Sequence, residues 1–273
     1  MGTKRRLDAE LVRRKIARSR EAAVEMIKQG RVSVGGFRAL KPATAVGPDV
    51  SIKVTGQADQ EWASRGAHKL LGALETFEPQ GLSVRGLRVL DAGASTGGFT
   101  DVLLARGAAS VVAVDVGYGQ LVWRLQNDPR VQVMDRTNIR NLTPDLIGGP
   151  CEMMVGDLSF ISLRLVLPAI AQCLTPGAAL LPMVKPQFEV GKERLGHGGV
   201  VRSPQLRAEV TAEVADFAAT LGLTLRGVVA SPLPGPSGNV EYFLWLVKGD
   251  EAHAWDASER RAAIERAVAE GPQ

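Results

Sequence analysis

The sequence predicts an α/β fold: a mostly parallel sheet covered by helices on both faces, preceded by a small basic α+β unit. Three observations predict it. Charge divides the chain, with 13 Lys/Arg against 5 Asp/Glu in residues 1–56 and 20 against 24 in the remainder, balances of +8 and −4. After Glu61, apolar runs of strand length alternate with stretches of helical period, the pattern of a sheet buried on both faces. One strand–turn–helix junction is rich in glycine, at the carboxyl end of a strand, where open α/β sheets bind ligands.

The 273 residues suffice for one large or two smaller domains, and a hydrophobic content of 45% is that of a globular protein. The two cysteines, Cys151 and Cys173, form no spaced framework. They fit a reducing cytosol, and no metal site is expected. The longest apolar runs, such as Ala178–Val184, fall far short of the roughly 18 residues a spanning helix needs. The basic N-terminus runs straight into charged residues rather than into a signal peptide. A cytoplasmic chain with no membrane partner and no obligate protein partner is expected.

In the front unit, assigned to residues 1–56, Asp8 is placed to cap a first helix running to about Ala17, and Ser19 to cap a second that ends before Gly30. Leu7, Leu11, Val12 and Ile16, then Ala23, Val24 and Ile27, recur at helical spacing as an apolar stripe. Strands over Arg31–Val34 and Phe37–Leu40 flank Gly35-Gly36, a hairpin signal, and Val50–Val54 closes the unit. A localised basic surface suits a polyanion, because each phosphate contact releases condensed counterions. The candidate RNA contacts are Arg5, Arg6, Arg13, Arg14, Arg18 and Arg20, with Arg65 beyond the linker. The run Arg6-Leu7-Asp8, Ala17-Arg18-Ser19-Arg20-Glu21-Ala22, Ile27, Gly30 and Val32-Ser33-Val34-Gly35-Gly36 resembles the small RNA-binding domain of a ribosomal small-subunit protein, the alpha-L motif. That resemblance implies RNA binding.

The polar stretch Thr55–Gln60 suggests a linker, set at 57–63, before a second domain over 64–273. Strands are expected at Arg88–Asp91, Ser110–Val116, Val131–Asp135, Glu152–Leu158, Ala178–Val184, Thr224–Ala230 and Val240–Val247. Helices are expected at Gly66–Phe77, Gly98–Arg106, Leu121–Asn127, Leu163–Cys173, Pro204–Leu221 and Ser258–Ala269. Lys185–Pro204 reads as a mobile glycine-rich loop whose cations could meet phosphate, and the four tryptophans read as core.

The sharpest local pattern is Val89-Leu90-Asp91-Ala92-Gly93-Ala94-Ser95-Thr96-Gly97-Gly98-Phe99-Thr100. Its spacing departs from G-x-G-x-x-G and offers no pyrophosphate cradle, which suits a cofactor without phosphates. Asp115 ends the next strand, where an acid can accept hydrogen bonds from ribose hydroxyls, and Asp135 with Asn138 ends the third, where an adenine edge can bind. Together these resemble the S-adenosylmethionine site of class I methyltransferases, with their Rossmann-like, mostly parallel seven-stranded sheet. The resemblance implies that Asp115 holds ribose and Asp135 the adenine amine. It implies that Gly93, Ser95, Thr96, Gly97 and Phe99 wrap the methionine, with Asp91 beside them.

Four further residues have distinctive surroundings: Lys69 in Gly66-Ala67-His68-Lys69, Asp157 in Gly156-Asp157-Leu158-Ser159, Lys185 in Val184-Lys185-Pro186, and Glu241 in Asn239-Val240-Glu241-Tyr242. The order Lys-Asp-Lys-Glu resembles the tetrad of FtsJ-type ribose 2′-O-methyltransferases. With the basic front unit, the whole chain resembles the TlyA, or haemolysin A, family. This implies methylation of cytidine ribose in 16S and/or 23S ribosomal RNA, with ribosomal subunits as partners. A ribose hydroxyl must lose its proton during attack, and a lysine serves as base only where its surroundings ease proton loss. Lys185 is the expected base, Asp157 its positioner, and Lys69 and Glu241 orienting groups. The competing readings are a pseudouridine synthase, a ribosome-assembly protein that binds RNA without chemistry, and a membrane-lytic protein.

Overall fold

The computed structural model describes residues 4–28, 30–48, 50–54, 62–235 and 237–272. The linker expected over 57–63 lies outside the described residues as far as Glu61. Two compact units emerge, Met1–Glu61 and Trp62–Gln273.

The front unit runs β1 (Arg5–Arg6), α1 (Leu7–Arg13), α2 (Arg20–Lys28), β2 (Val32–Val34), β3 (Phe37–Arg38), β4 (Ala45–Val46) and β5 (Ile52–Val54). β1 pairs with β4, and β2 lies between β3 and β5, all antiparallel. Most of the expected apolar stripe forms the core, with Leu7, Leu11, Ala23 and Ile27 buried against Val32 and Val46, whereas Ile16 is exposed and Val24 lies outside that cluster.

Ser19 caps α2 as expected, its hydroxyl accepting from the Ala22 amide at 3.2 Å. Asp8 is not a cap. The first amides of α1 are satisfied from across the unit: Leu7 N donates to the Thr44 carbonyl at 2.8 Å and Asp8 N to the Pro42 carbonyl at 3.1 Å. This frees the Asp8 carboxylate to sit buried between Arg6 and Arg20, at 2.8 and 3.1 Å. The helix stops at Arg13 rather than near Ala17, because Lys15 adopts φ 58° and the amides of Ile16 and Ala17 fold back onto the Leu11 carbonyl.

Glu10 is likewise buried, between Arg13 and Arg14 at 2.6 and 2.7 Å. Its carboxyl, held chiefly by Arg13, and that of Asp8, held chiefly by Arg6, lie below the ordinary carboxylate range. Groups depressed in the folded state stabilise above their unfolded pKa, about 4, and lose that contribution as pH falls through the folded value. Denaturant unfolding of the full chain should therefore show steep loss of stability on acidification below about pH 4. The double variant Asp8→Asn, Glu10→Gln should be weaker at pH 7 and flatter against pH. An unchanged pH slope in that variant would show that these ion pairs do not govern acid lability.

The rear unit contains α3 (Gly66–Phe77), β6 (Arg88–Ala92), α4 (Gly98–Ala105), β7 (Ser110–Val114), α5 (Trp123–Gln126), β8 (Val131–Met134), β9 (Cys151–Gly156), α6 (Leu167–Gln172), β10 (Leu174–Val184), α7 (Pro186–Glu189), α8 (Pro204–Thr220), β11 (Leu223–Ala230), β12 (Tyr242–Lys248) and α9 (Ala257–Glu270). Its seven strands are ordered β11-β12-β10-β9-β6-β7-β8, and β12 alone runs against the rest. The predicted mostly parallel, doubly covered sheet is borne out. Alternating strand residues feed two cores. Leu90, Val112, Met154 and Leu180 pack toward Val214 of α8 and Ile264 of α9. Val89, Val111, Met153 and Leu181 pack toward Leu70 and Leu74 of α3 and Val102 of α4. The chain leaves β6 in one direction and returns on its other side as β9, so a topological switch point opens between their carboxyl ends.

Three local expectations are corrected. The helix expected over Leu163–Cys173 splits into a 3-10 turn, Leu163–Leu165, and α6, whose first turn holds Pro168. Trp123 is 76% exposed rather than core. The segment after Lys185 is anchored rather than mobile: Val190 and Val201 are buried against Val210, and Arg194 pairs with Glu209 and Glu213 at 2.6 and 3.4 Å. Buried Asn239 accepts from Val201 N and donates to the Gly199 carbonyl, both at 2.9 Å. No helix among the described residues is long and apolar enough to cross a membrane.

Candidate active site

The glycine turn between β6 and α4 forms one wall of the switch point. Gly93 has φ 87°, and a Cβ there would sit 3.0 Å from the Asp157 carbonyl oxygen. At Gly98 a Cβ would lie 2.3 Å from Ser64 Oγ and 3.0 Å from Ala67 N. Bare backbone is what lets these loops approach. Ser95 accepts a left-handed φ of 48°, and its amide donates to Asp115 Oδ2 at 2.8 Å. A cavity of about 300 Å³ results, lined by Ser64, Arg65, Lys69, Gly93, Ala94, Ser95, Thr96, Phe99, Asp157 and Pro234.

Of the expected cofactor set, Gly93, Ser95, Thr96 and Phe99 line this cavity, Asp115, Asp135 and Asn138 lie outside its lining, and the remaining two face away from it. Asp91 is fully buried under the turn, where Thr100 Oγ1 donates to its Oδ2 at 2.6 Å. Burial pushes its carboxyl up to about 7, against the Thr100 hydrogen bond. It is a strut between β6 and α4 rather than a ligand contact. Gly97, at φ 99°, is turned toward Leu121 and Leu125, which a Cβ would strike at 2.8 and 2.4 Å.

At the end of β7, Asp115 Oδ1 accepts from Gly117 N at 2.7 Å while Oδ2 takes the Ser95 amide. After β8, Asp135 Oδ2 accepts from Gly119 N at 2.8 Å, and exposed Asn138 accepts from Arg140 N at 3.0 Å. Side chains at two adjacent strand ends thus shape the loops around one rim. The bare turn and these carboxylates fit S-adenosylmethionine, a ligand with ribose hydroxyls, an amino-bearing base and no phosphate.

The four candidate catalytic residues converge. Lys69 Nζ, on α3, lies 2.6 Å from Glu241 Oε2 and 3.8 Å from Asp157 Oδ2. Lys185 Nζ, at the end of β10, lies 2.6 Å from Asp157 Oδ1 and donates to Ser159 Oγ at 2.7 Å. Charges therefore alternate along Glu241, Lys69, Asp157 and Lys185. Two positive and two negative groups in contact make burial tolerable, where one alone would not be. Lys69, Lys185 and Glu241 are buried, while Asp157 keeps 23% of its side chain open. Glu241 Oε1 is buried without a hydrogen-bond partner, and a Cβ on Gly235 would come within 2.7 Å of it. Glycine there leaves room for the carboxylate.

Sequence reasoning missed an aromatic pair beside the tetrad. Phe160, at φ 63° and 90% exposed, meets Phe188 with ring centroids 5.2 Å apart. A signal was present: each phenylalanine follows a tetrad residue by three positions, in Asp157-Leu158-Ser159-Phe160 and Lys185-Pro186-Gln187-Phe188.

In the front unit Arg5 and Arg18 are exposed, and Arg6, Arg13 and Arg20 keep about half their side chains open despite their ion pairs. Arg14 differs. It reaches Glu10 and donates to the carbonyls of Val50, Pro48 and Gly47 at 2.8, 2.7 and 3.3 Å, so it staples the unit rather than facing solvent. Arg65 belongs to the rear unit, at the cavity.

The profile of FtsJ-like methyltransferases matches residues 62–248, and that of S4 domains matches residues 5–52. Among characterised sequences, the chain is 57% identical over 272 residues to the 16S/23S rRNA (cytidine-2′-O)-methyltransferase TlyA of Mycobacterium tuberculosis, covering 100% of both chains. It is 41% identical to YqxC of Bacillus subtilis, provisionally named an rRNA methyltransferase, over 97% of this chain and 94% of the other. A solved structure from Streptococcus thermophilus, provisionally named a hemolysin, superposes with a TM-score of 0.72 at 37% identity, covering 99% and 98% of the two chains.

Proposed function

The chain belongs to the FtsJ-like methyltransferases of the TlyA family, and from that premise we propose that it methylates the 2′-hydroxyl of cytidine ribose in 16S and/or 23S ribosomal RNA. The observation that carries the reading is the unbroken contact from Glu241 through Lys69 and Asp157 to Lys185, at the switch point beside the glycine turn. A protein that only binds RNA has no need of three buried charges and a fourth, part-open one there.

S-adenosylmethionine supplies the methyl on a sulfonium that is already a good leaving group. The chain supplies placement and proton removal. Lys185 acts as the neutral amine: it takes the hydroxyl proton as the ribose oxygen bonds the methyl and the carbon–sulfur bond breaks to leave a neutral thioether. Asp157 holds the ammonium so formed, while Glu241 fixes Lys69, which directs the ribose. Such positioning contributes about 7–11 kcal/mol in favourable cases. The exposed face of Phe160 gives the flanking base a stacking surface. Mapping ribose methylation on 16S and 23S RNA from cells with and without the gene tests the function. Identical methylation maps would refute it.

Asp115 and Asp135 bind cofactor rather than RNA. Alanine at either should raise the cofactor Kd by calorimetry at least tenfold, while RNA binding without cofactor barely changes. Normal cofactor affinity in both variants would overturn the assignment. The front unit supplies RNA affinity through its +8 balance. Deleting residues 1–56 should spare cofactor binding and sharply weaken ribosomal substrate engagement. The intact protein should lose RNA affinity steeply with salt, with a log–log slope of several units where several phosphates are contacted. Equal methylation by the truncated chain at physiological salt would sink this division of labour.

A further inference from the structure

We propose that Glu189 is a positioning residue for methyl transfer, clamping the loop that carries Asp157 onto the loop that carries Lys185. The inference rests on the methyl-transfer reading above. Asp157 follows β9 and Lys185 follows β10, so the contact between them depends on two separate loops keeping register. Glu189 ends α7, four residues after Lys185, and is buried. Both of its carboxylate oxygens reach across to the other loop. Oε2 accepts from Ser162 Oγ at 2.6 Å and Oε1 from Leu163 N at 2.7 Å. The Glu189 carbonyl accepts from Arg164 Nη2 at 3.2 Å, and Arg164 Nε lies 3.6 Å from Oε2.

A buried carboxylate is an expensive way to join two loops. Burial pushes the Glu189 carboxyl above its ordinary range, against the bonds from Ser162 and Leu163. An apolar side chain would fill the same space without fixing register. Two directed hydrogen bonds do fix it, and they do so between the segments holding Asp157 and Ser159 on one side and Lys185 on the other. The same clamp lies next to the Phe160–Phe188 contact, where Phe160 keeps a left-handed backbone. Such a conformation persists only where its surroundings over-determine it.

Misplacing a catalytic group by about 1 Å can cost about a hundredfold in rate. Glu189→Ala should lower the single-turnover methylation rate by roughly that factor. Cofactor Kd by calorimetry and RNA Kd should stay within about twofold. Glu189→Gln can still accept from Leu163 N and donate to Ser162 Oγ, so it should restore most of the rate. In hydrogen exchange on the full chain, the Leu163 amide should lose protection in the alanine variant and keep it in the glutamine variant. A wild-type rate in Glu189→Ala would overturn the clamp. So would a parallel loss of cofactor affinity, which marks a general folding defect. So would a glutamine variant as slow as alanine with Leu163 still protected. Absence of methylation by the wild-type chain, run alongside, would instead defeat the methyl-transfer reading on which the clamp depends.

Discussion

Lys185→Arg should be nearly as inactive as Lys185→Ala, with cofactor and RNA still bound. Removing a general base typically costs about 10²–10⁴-fold. Arginine keeps the positive charge but stays protonated, so it cannot accept the hydroxyl proton. If Lys185 acted only as a fixed cation, arginine would retain much of the rate. Lys185 is buried between Asp157 Oδ1 at 2.6 Å and Ser159 Oγ at 2.7 Å, so the larger guanidinium must also fit a tight place. Rescue of the alanine variant by added primary amines separates the two explanations. A base is rescued by amines in their neutral form, so rescue should grow with pH. The wild-type chemical step should rise as a group deprotonates and then level off, measured in single turnover so that product release does not mask it. Robust single-turnover methylation by the arginine variant would move the base role to Asp157.

What the sequence reveals here is what is written locally. The near-continuous apolar runs Val89–Ala92 and Val111–Val114 are a near-neighbour property, and the strands fall where they point. The tetrad was legible because each member stands at or near an element boundary in a distinctive local context. Contacts across long separations were not legible. Asp8 has the chemistry of a cap, yet its carboxylate takes only the Ala9 amide, and the first two amides of α1 go to Thr44 and Pro42, more than thirty residues away. The glycines of 191–199 suggest mobility, but Val201 is held by Asn239 from beyond α8 and β11. Asp91 ends its strand like a ligand-binding acid, and only the packing of α4 over it turns it inward to Thr100. Glu189 carried no sequence signal, since nothing local says that a glutamate one turn past Lys185 is buried.

Breaking the Lys69–Glu241 pair one partner at a time should damage the fold, and removing both should not. Lys69→Met leaves Glu241, 1% exposed and with Oε1 already unpartnered, as an uncompensated buried charge. That is worth about 3–5 kcal/mol of lost stability, and Glu241→Met should cost less, because Lys69 loses its nearest partner but keeps Asp157 Oδ2 at 3.8 Å. The double variant Lys69→Met, Glu241→Met replaces the pair with apolar groups and keeps the remaining Asp157–Lys185 contact neutral. Its stability by denaturant unfolding should return to within about 1–2 kcal/mol of wild type, because hydrophobic replacement of a buried ion pair is often neutral or stabilising. Methylation should stay at least a hundredfold down in the double variant, since the group we propose to direct the ribose is gone. A double variant that regains stability and activity together would make the pair a feature of the fold alone. Single variants that remain fully stable would show that the pair is not desolvated as its burial indicates. The expected split, stability restored and chemistry absent, is the outcome that places Lys69 and Glu241 in the reaction: an arrangement so readily replaced for folding persists only where something other than folding uses it.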